Sequence, residues 1–448
     1  MKLCTILVAL FAVLQTGAQE TTNIDSQILE QMKFQTTSEL IEKWYPLVID
    51  STDGGYFTTI THDFKLGEDQ EKMVVTQARH LWVTSQVALH YNDTRFIDYA
   101  AHGFVFLKSK MWDHKNGGFY DFVDKQGRVI KNDKPQKTAY GNAFAIYGLA
   151  AYFKASGNQE ALALAKATFH WLEKHSHDKV HKGYYQSLEL DGTPIKRDDS
   201  FLSTSALGYK DQNSSIHLLE AFTELYHLWP NELLKQRLEE LLLLIRDTIV
   251  HQDHYMNLFF TENWTPVSFK NTSRENIQKH YYLDHVSFGH DVETAYLMLE
   301  ASEALHRKDH HITLDVGKAM VDHSLENGWD TALGGLFDGG YYFNDASNIE
   351  IVNADKNWWS QAEALNTLLI MDAHFPHDAH DYKKRFVELW SYIDTYFLDH
   401  TYGGWYEWGL DRRPESKKGD KGHIWKATYH HFRALVNCME RLEASLEK

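Results

Sequence analysis

Residues 287–293 (SFGHDVE) place a histidine and a glutamate three positions apart, at His290 and Glu293, just before an apolar run. In a helix this spacing puts both side chains on one face. An imidazole held by a carboxylate suits a general base, because histidine titrates near neutral pH and the carboxylate fixes its tautomer and raises its basicity. A single pair of this kind is more often a solvated or core hydrogen bond than a catalytic one. The rest of the chain must therefore decide between these two interpretations.

Five further segments combine polar and aromatic side chains at the start of an apolar helical pattern. In chain order they contain Arg79, then Tyr140, then Asn213 with His217, then Trp358 with Trp359 and Glu363, and finally Trp425 with His430. Each residue alone has an ordinary explanation: Asn213 as a helix cap, Arg79 as a surface cation, Trp358 as a core aromatic and Glu363 as a solvated acid. The recurrence of such clusters at six helix starts, rather than any single one, indicates a functional site.

A repeated phrase predicts the elements that position these residues. Gly-Gly-aromatic copies or close variants begin at residues 53, 116, 181, 332 and 402, and a degenerate copy occupies residues 255–260. The interval of roughly 60–80 residues has room for two helices and a short strand-like loop. Apolar residues between the phrases recur at three and four positions, which is typical of helices. The predicted helices span residues 26–44, 74–90, 95–111, 139–154, 159–175, 215–228, 231–250, 292–306, 311–327, 358–374, 382–398 and 429–446.

All seven prolines fall outside these predicted helices, where a missing N–H breaks no helical ladder. We therefore expect an all-α fold, an (α/α)6 barrel of six helical hairpins in a ring. Its inner helices line a central cavity, and short β-like loops lie at one end. No linker or low-complexity run divides the pattern, so residues 19–448 are expected to form a single domain.

The first 18 residues have the three parts of a secretory signal peptide: a positive start, an apolar middle and small residues before a cut, which we place after Ala18. The apolar run is shorter than the roughly 20 residues needed to span a bilayer. Cleavage would remove Cys4 and leave Cys438 as the one thiol, so no intrachain disulfide is expected. These features predict an exported protein, periplasmic or secreted.

The formal net charge of −17 opposes binding to nucleic acid or to an anionic membrane. A neutral small molecule is the expected partner, with no membrane span and with a monomer as the expected state. The aromatic content of 14% suits stacking on sugar rings, although large helical cores also use many aromatics. The histidine groups at residues 374–380 and 175–177 lack the His-Glu-x-x-His pattern, so we expect them to be incidental and predict no metal site.

Taken in order, these motifs resemble the N-acylglucosamine 2-epimerase superfamily and, within it, the cellobiose 2-epimerases. The matching segments are Gln77-Ala78-Arg79, Tyr140-Gly141, Asn213 with His217-Leu218-Leu219-Glu220-Ala221, residues 287–293, residues 358–364, and Trp425-Lys426 with Tyr429-His430. The resemblance covers nearly all of residues 19–448. It implies an (α/α)6 barrel, in agreement with the count of repeats.

The resemblance also implies roles for single residues. His290 and His430 are similar to the family's acid/base pair, and His217 to a third histidine that assists ring opening. By the same likeness, Arg79 is the cation near the sugar oxygens, and Glu293 and Glu363 are the carboxylates that orient imidazoles. The positions that match substrate-contacting or supporting residues are Tyr140, Asn213, Trp358, Trp359 and Trp425. One departure is Ser215, where the family often has a histidine, and it bears on substrate preference.

The implied chemistry explains the need for two histidines. Inverting C2 of a reducing sugar requires ring opening, removal of the C2 proton to give an enediolate, and return of a proton to the opposite face. One fixed base cannot reach both faces, whereas two imidazoles flanking the carbon can, with pKa values expected near the working pH. Arg79 would stabilise the developing oxyanion. No cofactor, metal or nucleotide is needed for these steps.

The expected function is therefore epimerisation at C2 of the reducing-end glucose of a β-1,4-linked disaccharide, converting cellobiose to glucosyl-mannose and lactose to epilactose. Two alternatives within the same family are a mannobiose 2-epimerase and an aldose-ketose isomerase. An (α/α)6 glycoside hydrolase using two carboxylates, and a sugar-binding protein without activity, are alternatives from other classes.

Overall fold

The computed structural model describes residues 23–130, 136–196, 208–345 and 347–447. The predicted signal peptide lies outside these residues. The helices, in chain order, are α1 (residues 23–34, continued with a wider turn over Gln35–Glu42), α2 (Val74–His90), α3 (Arg95–Phe106, continued over Leu107–Met111), α4 (Ala139–Ser156), α5 (Gln159–His175), α6 (Gln212–Leu228), α7 (Glu232–Leu244, continued over Ile245–Ile249), α8 (Arg274–His280), α9 (Phe288–Ala304), α10 (His310–Asn327), α11 (Trp358–His374), α12 (Tyr382–Tyr396) and α13 (Tyr429–Leu446).

Six of these helices form an inner ring: α2, α4, α6, α9, α11 and α13. Each packs against the next, and α13 returns to α2 to close the ring. The inner helices are buried on nearly every side, whereas α1, α3, α5, α7, α10 and α12 surround them and bury one face. The close approach of α2 and α4 requires Gly148, because a Cβ there would lie 2.7 Å from the carbonyl oxygen of Ala78. The predicted all-α (α/α)6 barrel is confirmed.

In the described parts of the chain, eight short strands pair in four antiparallel two-stranded sheets at one end of the barrel. The pairs are β1 (Lys72–Met73) with β2 (Phe122–Val123), β3 (Lys137–Thr138) with β4 (Ser187–Leu188), β5 (Lys210–Asp211) with β6 (Phe259–Phe260), and β7 (Gly339–Tyr341) with β8 (Glu350–Asn353). Strands β1, β3 and β5 run directly into inner helices α2, α4 and α6. All six inner helices start at this end, so their first turns meet around one opening.

The repeated phrases form tight turns at this same end. In the second turn, Asp113 Oδ1 accepts hydrogen bonds from the backbone N–H groups of Lys115 and Asn116, and Gly118 has a φ of 72°, which favours glycine. Lys137 Nζ donates to Asp113 Oδ2 at 2.8 Å. Equivalent buried lysine–aspartate pairs occur in five of the six turns: Lys72–Asp50, Lys137–Asp113, Lys210–Asp178, Lys356–Asp330 and Lys421–Asp399.

The fourth turn differs: His251 and Val286 stand at the corresponding positions, and α8 follows in the connection to α9. This turn is held from the helix instead, because Asp291 Oδ1 in α9 accepts a hydrogen bond from Met256 N at 2.9 Å. Gln77, Asn142 and Gln361 make the same contact in other turns. The neighbour of His290 thereby anchors the start of its helix. Among the described residues, no helix is long and apolar enough to cross a membrane.

Candidate active site

The first turns of the inner helices surround a cavity of about 290 Å³. Ten of the eleven residues predicted for the site line it: Arg79, Tyr140, Asn213, His217, His290, Glu293, Trp358, Trp359, Trp425 and His430. The eleventh, Glu363, lies fully buried beneath it. The inner helices all point their N-termini toward this opening, and the partial positive charge at each N-terminus favours negative charge on a bound molecule.

Each of the three histidines is held through Nδ1. His430 Nδ1 lies 2.6 Å from Glu363 Oε1, His217 Nδ1 lies 2.8 Å from Glu220 Oε2, and His290 Nδ1 lies 2.7 Å from Ser287 Oγ. The indole of Trp359 contacts two of these rings, with centroid distances of 4.6 Å to His290 and 5.9 Å to His430. With Nδ1 held, Nε2 is the nitrogen of each ring that is available to exchange a proton with a bound molecule.

The predicted pairing of Glu293 with His290 is wrong. Glu293 Oε1 accepts a hydrogen bond from Arg433 Nη2 at 2.8 Å, and Ser287 holds His290 instead. Glu293 lies one turn deeper in the barrel than His290, and a buried carboxylate is stabilised more by a guanidinium than by a neutral imidazole. The same three-residue spacing does give an imidazole–carboxylate pair in α6, between His217 and Glu220.

A buried layer of ionic side chains supports the histidines. Arg433 in α13 donates to Glu220, to Glu293 and to Glu363, the last at 2.7 Å. Tyr429 OH donates to Glu220, and Tyr296 OH donates to Glu363 Oε2 at 2.7 Å. One guanidinium therefore connects the carboxylates behind His217 and His430, so the two imidazoles are fixed relative to each other.

The acids of this layer differ in pKa. Burial alone would raise the pKa of Glu220, but Arg433 and His217 outweigh it and lower the pKa to about 2. For Glu293, burial and then the charge of Glu363 raise the pKa, and burial also raises that of Glu363. One cation among three carboxylates leaves the layer short of positive charge. The raised pKa values of Glu293 and Glu363 reduce this excess of negative charge, because they favour a proton on this pair of carboxyl groups.

The histidines have lowered pKa values, contrary to the expectation of values near working pH. Burial lowers the pKa of His290 to about 3, with smaller contributions from nearby histidines. Burial, followed by the charges of Arg79 and Arg433, takes the pKa of His430 well below 6.5. The pKa of His217 is also lowered, chiefly by burial and against the opposing effect of Glu220. All three imidazoles are therefore neutral in the free protein at neutral pH.

Arg79 lies in the wall of the cavity. Its Nη2 donates to Tyr140 OH at 3.1 Å and its Nη1 to the carbonyl of Trp425 at 3.0 Å. The guanidinium also packs over the rings of Phe144 and Tyr429, at 4.5 and 5.1 Å from their centroids. These contacts fix a cation beside the three imidazoles, in a position to stabilise negative charge on a bound sugar.

The interpretation of Asn213 as a helix cap is excluded, because Asp211 caps α6 by accepting from Ser214 N at 2.6 Å. Asn213 lines the cavity instead.

Glu293, Glu363 and His430 each bring a ligand atom within 4.8 Å of the others, close enough for a metal ion. Arg433 already supplies the positive charge there, since its Nη2 bonds both carboxylates.

No role was predicted from the sequence for several site residues, although Ser287 and Tyr429 lie in the matching motifs: Ser287, Tyr296, Asn357, Glu407, His423, Tyr429 and Arg433. Arg433 and Ser287 carried a usable signal. Arg433 follows His430 by three positions and Ser287 precedes His290 by three, the same spacing that drew attention to Glu293. Glu407 and His423 come from loops, where helical spacing gives no information.

A model of the N-acylglucosamine 2-epimerase family matches residues 55–434. The chain therefore belongs to this family, whose members are carbohydrate epimerases and thus isomerases, and the predicted family resemblance is confirmed. The cellobiose 2-epimerase of Ruminococcus albus is 30% identical over 422 residues, covering 92% of this chain and 99% of that protein. The cellobiose 2-epimerase of Dictyoglomus turgidum is 27% identical over 425 residues, covering 94% and 100%. The solved structure of cellobiose 2-epimerase from Spirochaeta thermophila superposes with a TM-score of 0.78 at 28% identity, covering 94% of this chain and 98% of that one.

Proposed function

We propose that this protein inverts C2 of the reducing-end glucose of a β-1,4-linked disaccharide, converting cellobiose to glucosyl-mannose and lactose to epilactose. The observation that carries the proposal is the shared cavity of His290 and His430, each held through Nδ1 by a partner behind it and each in contact with Trp359. Two rings from separate helices beside one cavity meet the requirement for proton exchange on both faces of one carbon.

The reaction begins with opening of the sugar ring, which exposes the C1 aldehyde. His217 is positioned to move the proton between the ring oxygen and the C1 hydroxyl, because Glu220 holds its Nδ1. Glu220 stays ionised, with its pKa lowered to about 2, so it can stabilise the imidazolium that forms. The open chain then places C2 next to the aldehyde, and this makes its proton acidic.

A neutral imidazole of the pair takes the C2 proton. The electrons of the C2–H bond form the C1–C2 double bond, and the electron pair of the carbonyl moves to the C1 oxygen. Arg79 and the N-termini of the inner helices stabilise this oxyanion. The other imidazole takes up a proton from solvent as the enediolate forms and delivers it to the opposite face of C2, and the aldehyde reforms. The first imidazole then releases the proton it took from C2 to solvent, so both rings are neutral again. Burial keeps both imidazoles neutral without substrate, and the negative enediolate raises the pKa of the adjacent ring so that it can act as the acid.

The test is incubation with cellobiose in deuterated water, followed by NMR and chromatography of the sugars. We expect wild type to place deuterium at C2 and to form glucosyl-mannose. His290→Ala and His430→Ala should each reduce exchange by about 10²- to 10⁴-fold, the usual contribution of an acid–base group. His311→Ala, an exposed histidine on the outer helix α10, is the matched control and should exchange as wild type does.

Other products would contradict the proposal and identify the alternative. Deuterium at C1 of a ketose shows an aldose-ketose isomerase, and release of glucose shows a glycoside hydrolase. Faster turnover of mannobiose than of cellobiose shows a mannobiose 2-epimerase. Sugar binding without any deuterium at C2 shows a protein without epimerase activity.

We also propose export through cleavage after Ala18 and a monomeric mature protein. The tripartite character of residues 1–18 supports the first of these. Expression in a secreting host, followed by N-terminal sequencing and light scattering, tests both. A mature chain that begins at Gln19 and has the mass of one chain is the expected result. Retention of residues 1–18 contradicts export, and the mass of two chains contradicts the monomer.

A further inference from the structure

A second cavity, of about 890 Å³, lies at the other end of the inner helices. It begins at the ionic layer, where Tyr296, Phe432 and Arg433 form its floor, and it opens toward the surface. Its rim is exposed and includes His90, Lys154 and Glu440. We call it the lower chamber, and it is several times larger than the cavity that holds the histidines.

The floor of the lower chamber contains two buried donors that are not satisfied. Trp82 is 6% exposed and Arg433 is 4% exposed. The indole Nε1 of Trp82 and the Nε of Arg433 have no hydrogen-bond partner among the described residues. Such groups are costly to leave unpaired in a protein interior, so an acceptor at the floor, from a bound molecule or from water, would stabilise them.

The walls supply complementary groups. Glu224, Glu300, Gln86 and Asn437 line the chamber. Glu224, Gln86 and Asn437 are half-buried and Glu300 is exposed to the chamber. In the described parts of the chain, none of the four side chains has a hydrogen-bond partner. The walls therefore offer carboxylate acceptors and amide groups above a floor that offers N–H donors.

Aromatic surface completes the lower chamber. The rings of Trp82 and Tyr147 stack in parallel, 5.4 Å apart and 11° from coplanar, and both line the floor. An aromatic face suits the apolar C–H face of a sugar ring, while hydroxyl groups around that ring both donate and accept hydrogen bonds.

The lower chamber carries little net charge near neutral pH. Its enclosure by the inner helices raises the pKa of Glu300 to about 8 and also raises the pKa of Glu224. The charge of Arg433 is taken up by the carboxylates of the ionic layer. We propose that the lower chamber binds a neutral saccharide of one or two rings, as a second sugar site distinct from the catalytic cavity. Because Arg433 lines the chamber and bonds the carboxylates that hold His217 and His430, this saccharide would lie directly behind those carboxylates.

Isothermal titration calorimetry tests the proposal with cellobiose, lactose and mannobiose as probes. The His430→Ala variant is used as the background so that turnover adds no heat. We expect two molecules of at least one of these sugars per chain. Val436→Trp places an indole in the chamber and should reduce the stoichiometry to one. The matched control Val105→Trp, on the outer helix α3, should leave it at two.

A second variant keeps the test decisive if Val436→Trp does not fold. Glu300→Leu removes a hydrogen-bonding group from the chamber wall, and it should weaken the second binding step by about fivefold to tenfold, as expected for the loss of one hydrogen bond. A stoichiometry of one for all three sugars that neither chamber variant alters overturns the proposal, as does no binding at all.

The failure of the proposed function gives a different result. A single site that Val436→Trp abolishes and Arg79→Ala leaves intact supports the lower chamber and contradicts sugar binding in the catalytic cavity. Loss of the single site in Arg79→Ala, with Val436→Trp unaffected, supports the catalytic cavity and overturns the lower chamber.

Discussion

Aromatic and ionisable side chains line the cavities at both ends of the inner helices, but the two ends differ in how these side chains are held. At the N-terminal end the imidazoles are buried or half-buried, and each has a hydrogen-bond partner behind it. At the C-terminal end, Glu224 and Glu300 lie in a wider and more exposed space. Helix N-termini favour anionic groups and C-termini do not. The comparison teaches that the barrel supplies two sugar-sized openings, and that only the end with fixed imidazoles and the favourable dipole suits enediolate chemistry.

The largest effect is expected from a change in the ionic layer that separates the two ends. Arg433→Met leaves Glu220, Glu293 and Glu363 buried without their cation, and unpaired buried charge is strongly destabilising. We expect a loss of about 3–5 kcal/mol in the free energy of unfolding, measured by urea denaturation. Deuterium exchange at C2 should be lost as well.

The matched control is Arg385→Met, which breaks a partly exposed ion pair with Glu388 on α12. It should change the free energy of unfolding by about 1 kcal/mol or less. If Arg433→Met lowers the free energy of unfolding by less than about 1 kcal/mol, the ionic layer does not stabilise the barrel as proposed.

The next prediction concerns one carboxylate of the layer. Glu363→Gln keeps the shape of the side chain but replaces the charge that stabilises His430 as an imidazolium. We expect kcat for cellobiose epimerisation to fall by about 10²-fold with little change in KM, because Glu363 acts through His430 and lies beneath the cavity. Glu388→Gln on α12 should match wild type. A change confined to KM would instead place Glu363 in contact with the sugar.

The pH dependence of stability sharpens the comparison at the catalytic end. Burial lowers the pKa of His80, in the wall of that end, to about 3, while an unfolded histidine titrates near 6.5. Between these pH values the unfolded state binds more protons than the folded state. The free energy of unfolding therefore decreases as pH falls from 6.5 toward 3, and His80 causes no such loss above pH 6.5. Between pH 6.5 and pH 5, this histidine alone should lower the free energy of unfolding by about 2 kcal/mol.

His80→Gln tests this directly, because an amide can keep the hydrogen bond to Tyr45 OH without titrating. Urea denaturation at pH 6.5 and 5 should show a drop about 2 kcal/mol smaller in the variant than in wild type. Equal drops in the two proteins would assign the acid sensitivity to other histidines.

The smallest effect is expected at the rim. Trp425 is 45% exposed and lies above Arg79, which bonds its carbonyl rather than its ring. Trp425→Phe removes part of one stacking surface, worth about 1 kcal/mol, so KM for cellobiose should rise about fivefold while kcat stays near the wild-type value. A large fall in kcat would show that the indole takes part in the chemistry and is not only a binding surface.

The sequence predicted the repeats well because their signals are local. Helices α2, α5, α11 and α13 begin and end at the predicted residues, since an apolar period of three and four and a glycine turn on either side define them. The helix α8 is not among the helices predicted from the sequence. Six of its seven residues are polar, and the helix buries mainly Ile277 against Tyr341 and Phe343, a contact between distant segments that no local pattern reveals.

For the site, residue types at helix starts identified which side chains converge, but not how they pair. The spacing between His290 and Glu293 suggested a contact that α9 does not make, because Arg433, 140 positions away in the chain, competes for the carboxylate. The lowered pKa values of the histidines likewise depend on burial by six helices at once. Both properties belong to the assembled ring and not to any one segment.

The turn without a lysine has a practical consequence. Five turns are fastened by a buried lysine–aspartate pair, so a change of length there would pull apart two buried charges. The fourth has no such pair among the described residues and is held from the helix side by Asp291, and the connection that follows it contains α8. Residues 270–283 are therefore the segment of choice for grafting an affinity tag or a fluorescent reporter into this enzyme while its ring stays closed.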